Sequence, residues 1–248
     1  MRFILSLMAL TLLSTSPILA QDTKDLVGAY KDKAAIEGII AEYLLNNPKI
    51  VVDALESYEK QREAEQAAAA KQALVDSSDQ LFKNNEAPEI GNPEGDVTVV
   101  EFFDYNCGYC KRALADVVDL VEEDKNLRVV FKEVPILAES SREAARWALA
   151  SKKQGKYFEY HVKLMENRGQ LDAGRLESLA KSVGLDVAKL KKDKDSEAVN
   201  KVIQDNLDLM RRLGIRGTPS FVIGDELARG YVGKDQMKIL IAAQREKE

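Results

Sequence analysis

Apolar positions first recur at helical spacing at Ile36, Ile39, Ile40, Tyr43 and Leu44, the i, i+3, i+4, i+7 pattern of an amphipathic helix. Asn46-Asn47-Pro48 breaks the run. Asn47 is placed there as an N-cap and Pro48 at the first position of the next helix. That helix opens with Val51, Leu55 and Tyr58 on one face and passes into Gln61–Gln72, rich in strong helix formers with little to bury. Helical from Pro48 to Lys83, it would run roughly 54 Å. So thin an apolar stripe cannot build a domain alone. Residues 21–86 are therefore expected to form an all-α arm and stalk, whose apolar face (Ile36, Ile39, Ile40, Tyr43, Leu44, Val51, Leu55) pairs with other copies of the chain. The repeat is too short to choose between dimer and trimer.

The pattern changes at Ala87. A linker rich in Pro and Gly runs to Asp96, followed by the strand-like stretch 97–103. Lys111–Glu123 continues as a helix with Leu114, Val117, Val118 and Val121 inward, and Leu127–Ile136 alternates with β-branched residues as a second strand. Strand, helix, strand in that order predicts a parallel βαβ unit. From Glu139 to Leu213 the period is helical, in segments near 140–154, 156–167, 172–182 and 186–213 punctuated by Gly155, Gly169 and Gly184. Phe221–Ile223 and Leu227–Val232 then form a hairpin around Gly224-Asp225, and Lys234–Lys247 closes the chain as a helix. Residues 87–248 thus read as one α/β domain, with a helical insertion of about 75 residues over 139–213.

Composition narrows the chemistry. The chain has 248 residues and a net charge of −5, which argues against a nucleic-acid partner, since that calls for a basic patch. A single histidine leaves little supply for histidine-based metal or triad chemistry. At the N-terminus, Met1-Arg2 precedes an apolar Phe3–Leu13 and a small, turn-prone Ser14–Ala20. That is the form of a cleavable export signal covering residues 1–20, with an apolar stretch too short to span a membrane. No cysteine lies there to carry a lipid. Export delivers the mature chain, expected in the periplasm, to an oxidising compartment.

Both cysteines of the chain fall in one motif, Cys107-Gly108-Tyr109-Cys110, between the strand 97–103 and the following helix. A sulfur at a helix N-terminus meets unpaired N–H groups and the positive end of the helix dipole, which favour thiolate over thiol. The second sulfur lies about one turn on, close enough to close a disulfide ring. A Cys-x-x-Cys pair alone is shared by zinc and redox sites. Zinc would need two further ligands, and His161 cannot supply both. A two-thiolate copper(I) site remains chemically open.

The run Val100-Glu101-Phe102-Phe103-Asp104-Tyr105-Asn106-Cys107-Gly108-Tyr109-Cys110, with Gly214-Ile215-Arg216-Gly217-Thr218-Pro219-Ser220-Phe221, resembles the DsbA family of exported thiol–disulfide oxidoreductases. The resemblance covers about Ile90–Gln244. It implies a thioredoxin fold with a helical insertion, here preceded by an all-α N-terminal arm, and no cofactor or metal. It makes Cys107 the nucleophile and Cys110 the resolving thiol, with Gly108 and Tyr109 tuning the pair. Thr218-Pro219 becomes a cis-proline loop beside Cys107 that offers backbone to the substrate. Glu101 matches the family's buried acid, able to relay the proton of Cys110, and Lys132 on the next strand matches its basic partner. His161 is expected to be structural.

The dithiol does not fix direction. Gly-Tyr between the cysteines and Thr before the proline look like the isomerases of the family, and the arm resembles the ScsC-like branch. The expectation is an oligomeric isomerase or reductase of cysteine-bearing proteins, kept reduced by a membrane thiol donor. A DsbA-like oxidase served by a membrane oxidase is the alternative. A copper(I)-binding protein and a holdase are alternatives of another class.

Overall fold

The computed structural model describes residues 33–83 and 87–247. The expected export signal lies outside them. Contacts divide the chain between Ala64 and Glu65 into two compact units.

In the first unit, α1 (Lys33–Asn46) buries none of its residues, and α2 (Pro48–Asp76) begins there. Ile39, Ile40, Tyr43, Leu45, Ile50, Val51, Val52, Leu55 and Tyr58 are all exposed, while Ile36 and Leu44 are half-buried. Among the described residues of this unit, the apolar positions are therefore left without a hydrophobic core of their own.

The second unit holds the rest of α2, α3 (Ser78–Phe82) and a five-stranded sheet: β1 (Glu89–Gly91), β2 (Val97–Phe103), β3 (Leu127–Glu133), β4 (Ser220–Ile223) and β5 (Glu226–Arg229). Their order is β1-β3-β2-β4-β5, with β2 and β3 parallel and the other pairs antiparallel. The helix α4 (Gly108–Glu123) joins β2 to β3, the crossover that a parallel pair requires. The insertion is α5 (Glu139–Ser151) with a 3₁₀ turn at Lys152–Gln154, then α6 (Tyr157–Glu166), α7 (Ala173–Ser182), α8 (Val187–Asp193) and α9 (Glu197–Arg212); α10 (Lys234–Arg245) closes the fold. The sequence read 186–213 as one helix. The chain instead breaks at Lys194–Ser196 and restarts with Ser196 accepting from Val199 N, the preferred N-cap arrangement. The linker holds the edge strand β1, which the sequence pattern did not distinguish.

β2 and β3 are buried on both faces, so they read as nearly continuous apolar runs rather than strict alternations. One face, through Val97, Val99, Phe103, Leu127, Val129 and Phe131, packs against α4 and the insertion. The other, through Val100, Phe102, Val130 and Val134, packs against Leu209, Met210, Leu213 and Ile215 and against Leu74 and Leu81. That last contact explains why the division falls at residue 64 and not at the linker. Leu74 and Leu81 belong to the back of the sheet rather than to a free stalk.

The end of α9 sets up the loop that follows. Gly214 (φ 63°) donates to Arg211 O and Ile215 N to Met210 O, both at 3.0 Å. This is the pair of bonds by which a left-handed glycine stops a helix. Burial of Ile215 against Met210 and Leu213 then turns the chain towards the 216–219 loop.

Candidate functional site

Cys107 caps α4 with its own sulfur, which accepts from Cys110 N at 3.4 Å. Its backbone is extended (φ −78°, ψ 115°), and its N–H donates to Asp104 O at 3.0 Å. Both cysteines are free thiols. Cys107 is 7% exposed and Cys110 fully buried, so an incoming sulfur can reach only the first. The Thr218–Pro219 bond is cis, and the Cys107 thiol donates to Thr218 O at 3.1 Å.

The two sulfurs are pushed apart electrostatically. The hydrogen bond from the Cys110 thiol, then the Thr218 hydroxyl and the amides of Cys110 and Tyr109, pull Cys107 down to about 5 against the effect of burial. Burial pushes the Cys110 thiol far up, aided by its bond to Cys107 and by the negative charge of Glu101. At neutral pH the pair is therefore a thiolate beside a thiol. While Cys107 is a thiol donating to Thr218 O, the buried Thr218 Oγ1 has no partner. A thiolate cannot donate to Thr218 O, so this hydroxyl is the group free to turn its proton towards the ionised sulfur.

Glu101 lies on the thiol face of β2, fully buried, with Oε1 unpartnered. Burial, and then the charge on Cys107, raise it to about 8. Lys132 is elsewhere. In the β2–β3 register Glu101 faces Phe131, and Lys132 faces Phe102. Since successive side chains of a strand point to opposite faces, Lys132 projects from the back of the sheet. There it donates to Gln80 O at 2.8 Å. The pairing of Glu101 with Lys132 expected from sequence is absent, and Lys132 does not reach the thiols.

Tyr109 is 61% exposed and stacks on Tyr231, with ring centroids 6.2 Å apart. Arg112 lies over the other ring, and the Tyr231 hydroxyl donates to Asp116 at 2.6 Å. A side chain on Gly108 would meet open space, so packing does not require glycine there.

Sequence reasoning missed a buried polar cluster behind the thiol loop. The Tyr105 and Tyr157 hydroxyls donate to Glu133 Oε1 at 3.0 and 2.8 Å. Tyr105 Oη also lies 3.1 Å from His161 Nδ1. Burial holds the imidazole at about 3, neutral, and Phe103 and Phe131 pack on its ring. His161 is thus a structural residue of the cluster. Asp104, also missed, is 1% exposed and accepts four hydrogen bonds. Its signal was the Asp-x-Asn sequence where a strand ends, since such side chains cap their own turns. Among the described residues, no group of three or more His, Cys, Asp or Glu could hold a metal.

Residues 98–243 match the family model of the DSBA-like thioredoxin domain, and residues 32–65 that of the copper resistance protein ScsC N-terminal domain. Disulfide bond formation protein D of Bacillus subtilis is 28% identical over 166 residues, which are 61% of this chain and 73% of that protein. A group of Na(+)/H(+) antiporters also matches, and this chain spans 23% of the length of two of them. A solved thioredoxin-like oxidoreductase from Silicibacter pomeroyi superposes with a TM-score of 0.67 at 46% identity, covering 68% of this chain and 97% of its own. A linker-deletion mutant of Proteus mirabilis ScsC covers 95% of this chain and 100% of its own, with a TM-score of 0.69 at 29% identity.

Proposed function

Because this chain belongs to the DSBA-like thioredoxin-domain family of thiol–disulfide oxidoreductases, we propose that it is an exported disulfide isomerase or reductase of cysteine-bearing proteins, assembled through its N-terminal arm. The observation that carries this reading is the row of exposed apolar residues from Ile39 to Tyr58, ahead of a domain that has its own complete core. Covering that row with copies of itself would gather several dithiols around one misfolded client.

The chemistry follows from the split between the two sulfurs. The Cys107 thiolate attacks one sulfur of a client disulfide; that S–S bond breaks, a mixed disulfide forms, and the client's other sulfur leaves as thiolate and takes up a proton. In isomerisation, that thiolate attacks a different client disulfide, and a client thiolate later expels Cys107 unchanged. In reduction, Cys110 gives up its proton, with the ionised form of Glu101 as its base, and attacks Cys107 Sγ. The second client sulfur leaves, the client gains two electrons, and Cys107–Cys110 becomes the disulfide. A membrane thiol donor then returns the dithiol. Thr218 and Pro219 present backbone to the client, and Tyr109 flanks it.

The test is light scattering alongside reactivation of scrambled ribonuclease. An oligomer that restores activity supports the reading, and Ile40→Lys with Tyr43→Lys should lower both mass and reactivation. A wild-type monomer without reactivation overturns it.

One observation favours the oxidase instead. A Cys107 held near 5 stabilises the reduced form, and this makes the disulfide a stronger oxidant. Equilibration with glutathione decides between them: a strongly oxidising pair in a monomer selects the oxidase.

A further inference from the structure

The last ladder bond between β2 and β3 is Val134 N to Phe103 O at 3.0 Å. Beyond it, the thiol loop and the Pro135–Leu137 segment have no strand pairing to hold them together. One side chain takes over that task. Asp104 Oδ1 accepts from Asn106 N at 2.7 Å and from Ser141 Oγ at 2.6 Å. Its Oδ2 accepts from Ile136 N and Leu137 N, both at 2.9 Å. Asn106 Nδ2 adds bonds to Ser140 Oγ and Ser141 Oγ at 2.9 and 2.7 Å. A carboxyl group with two oxygens and no donor is the side chain that can satisfy four donors at once.

The segments it joins both reach the surface. Asn106 precedes the nucleophile, and Ile136 and Leu137 are 40% and 54% exposed. In the second unit the large exposed apolar residues are Val75, Tyr109, Ile136, Leu137 and Ile239. Three of the five therefore lie on, or next to, the two segments that Asp104 joins.

We propose that Asp104 is a positioning residue for exchange with polypeptides: its buried carboxyl group locks the Cys107 loop and the Ile136–Leu137 ledge into one surface, so that apolar residues flanking a client's disulfide grip the ledge while its sulfur meets Cys107. The proposal rests on the reading that clients are polypeptides, but on neither direction of exchange. It separates two properties, attitude of the thiol and grip on the client, that one substitution can uncouple. In Asp104→Asn the amide keeps most partners by turning Oδ1 to Ile136 and Leu137 and Nδ2 to Ser141 Oγ. The Asn106 N–H then faces another donor. The ledge stays held and the thiol loop is released. Asp104→Ala releases both.

The full chain and both variants would be assayed with two disulfide peptides, flanked by leucine or by serine, and with 2-hydroxyethyl disulfide. Iodoacetamide alkylation of Cys107 would be followed against pH. For Asp104→Asn the expectation is an alkylation midpoint about one pH unit higher and a KM for the leucine-flanked peptide within about twofold of wild type. For Asp104→Ala that KM rises about tenfold and the preference for leucine flanks disappears, while KM for hydroxyethyl disulfide stays unchanged. A purely structural role would lower the unfolding midpoint without moving the alkylation profile or the peptide preference, and that result overturns the proposal. If Asp104→Ala does not fold, an unmoved alkylation profile in Asp104→Asn overturns it alone. A wild-type protein with no preference between the two peptides would sink the polypeptide ledge itself, whatever Asp104 does.

Discussion

Glu101 and Lys132 are buried on opposite faces of the β2–β3 pair, and the two end up titrating alike and opposite in use. Glu101, on the thiol face, is raised to about 8 by burial and by the charge on Cys107. Lys132, on the back, is lowered to about 8 by burial and by Arg128. The difference lies in their partners. Lys132 donates to Gln80 O, while Arg128 donates to Phe82 O at 2.6 Å and pairs with Glu89. Together they tie the carbonyl end of α3 to the sheet. Glu101 has an oxygen with nothing to bond, and its charge acts on both sulfurs. A displaced titration by itself therefore says that a group is buried; an unspent atom beside the reacting ones says what it is for.

The sharpest break of this contrast is Cys107→Ser. Exchange should vanish in any thiol assay, because a serine hydroxyl is neither ionised nor able to form the mixed disulfide. Unfolding in denaturant should shift by no more than about 1 kcal/mol. Next is Glu101→Gln, which removes the base for Cys110 and keeps the volume. The resolving step, followed by rapid quench of the mixed disulfide, should slow by about 10², while the first attack by Cys107 stays within a few-fold. Equal slowing of both steps would deny Glu101 its assignment to Cys110.

Lys132→Ala probes the other face. It opens a cavity and leaves Gln80 O without its donor, at a cost on the order of 2–4 kcal/mol in urea unfolding. Lys132→Met, which fills the space without a buried cation, should cost less. Exchange by both should stay within about twofold of wild type. A tenfold loss in a well-folded Lys132→Met protein would reunite the two faces, as the sequence had suggested.

That suggestion shows where sequence reasoning ran out. Strand β2, the thiol-capped helix, the hairpin and the helical insertion were legible because each is set by local pattern: apolar runs, a helix start, glycine and proline punctuation. The thiol pair at the start of α4 and the cis-proline loop were legible because their motifs are local too. Lys132 failed because its face depends on which residue of β2 it meets, and a register of one residue reverses every side chain. The burial of Leu74 and Leu81 was hidden for a like reason: Leu74 ends α2, whose own stripe is thin, Leu81 lies in the short α3, and only the sheet's back face gives them a core. The Tyr105–Glu133–Tyr157–His161 cluster joins three distant segments, and no local spacing announces it.

The last expected effect is a slope, small per pH unit, and its sign distinguishes the faces. The folded value for Glu101 lies above its ordinary 4.5, so between about 4.5 and about 8 the folded state binds more proton than the unfolded state. Its contribution is fully present below pH 4.5 and is lost as pH rises through 8. For Lys132 the folded value lies below its ordinary 10.5, so its contribution is present above 10.5 and is lost as pH falls through 8. Each pH unit within either window changes stability by at most about 1.4 kcal/mol. Urea unfolding of wild type, Glu101→Gln and Lys132→Met across pH 4–11 reads this directly, because shared groups such as Glu133 cancel in the differences. The gain of Glu101→Gln over wild type should grow from about pH 4.5 to 8 and then level off. The difference for Lys132→Met should stay flat up to about 8 and move in wild type's favour above it. Two difference curves that bend in the same window would mean that the two residues share one environment after all, and the contrast between the faces would fall.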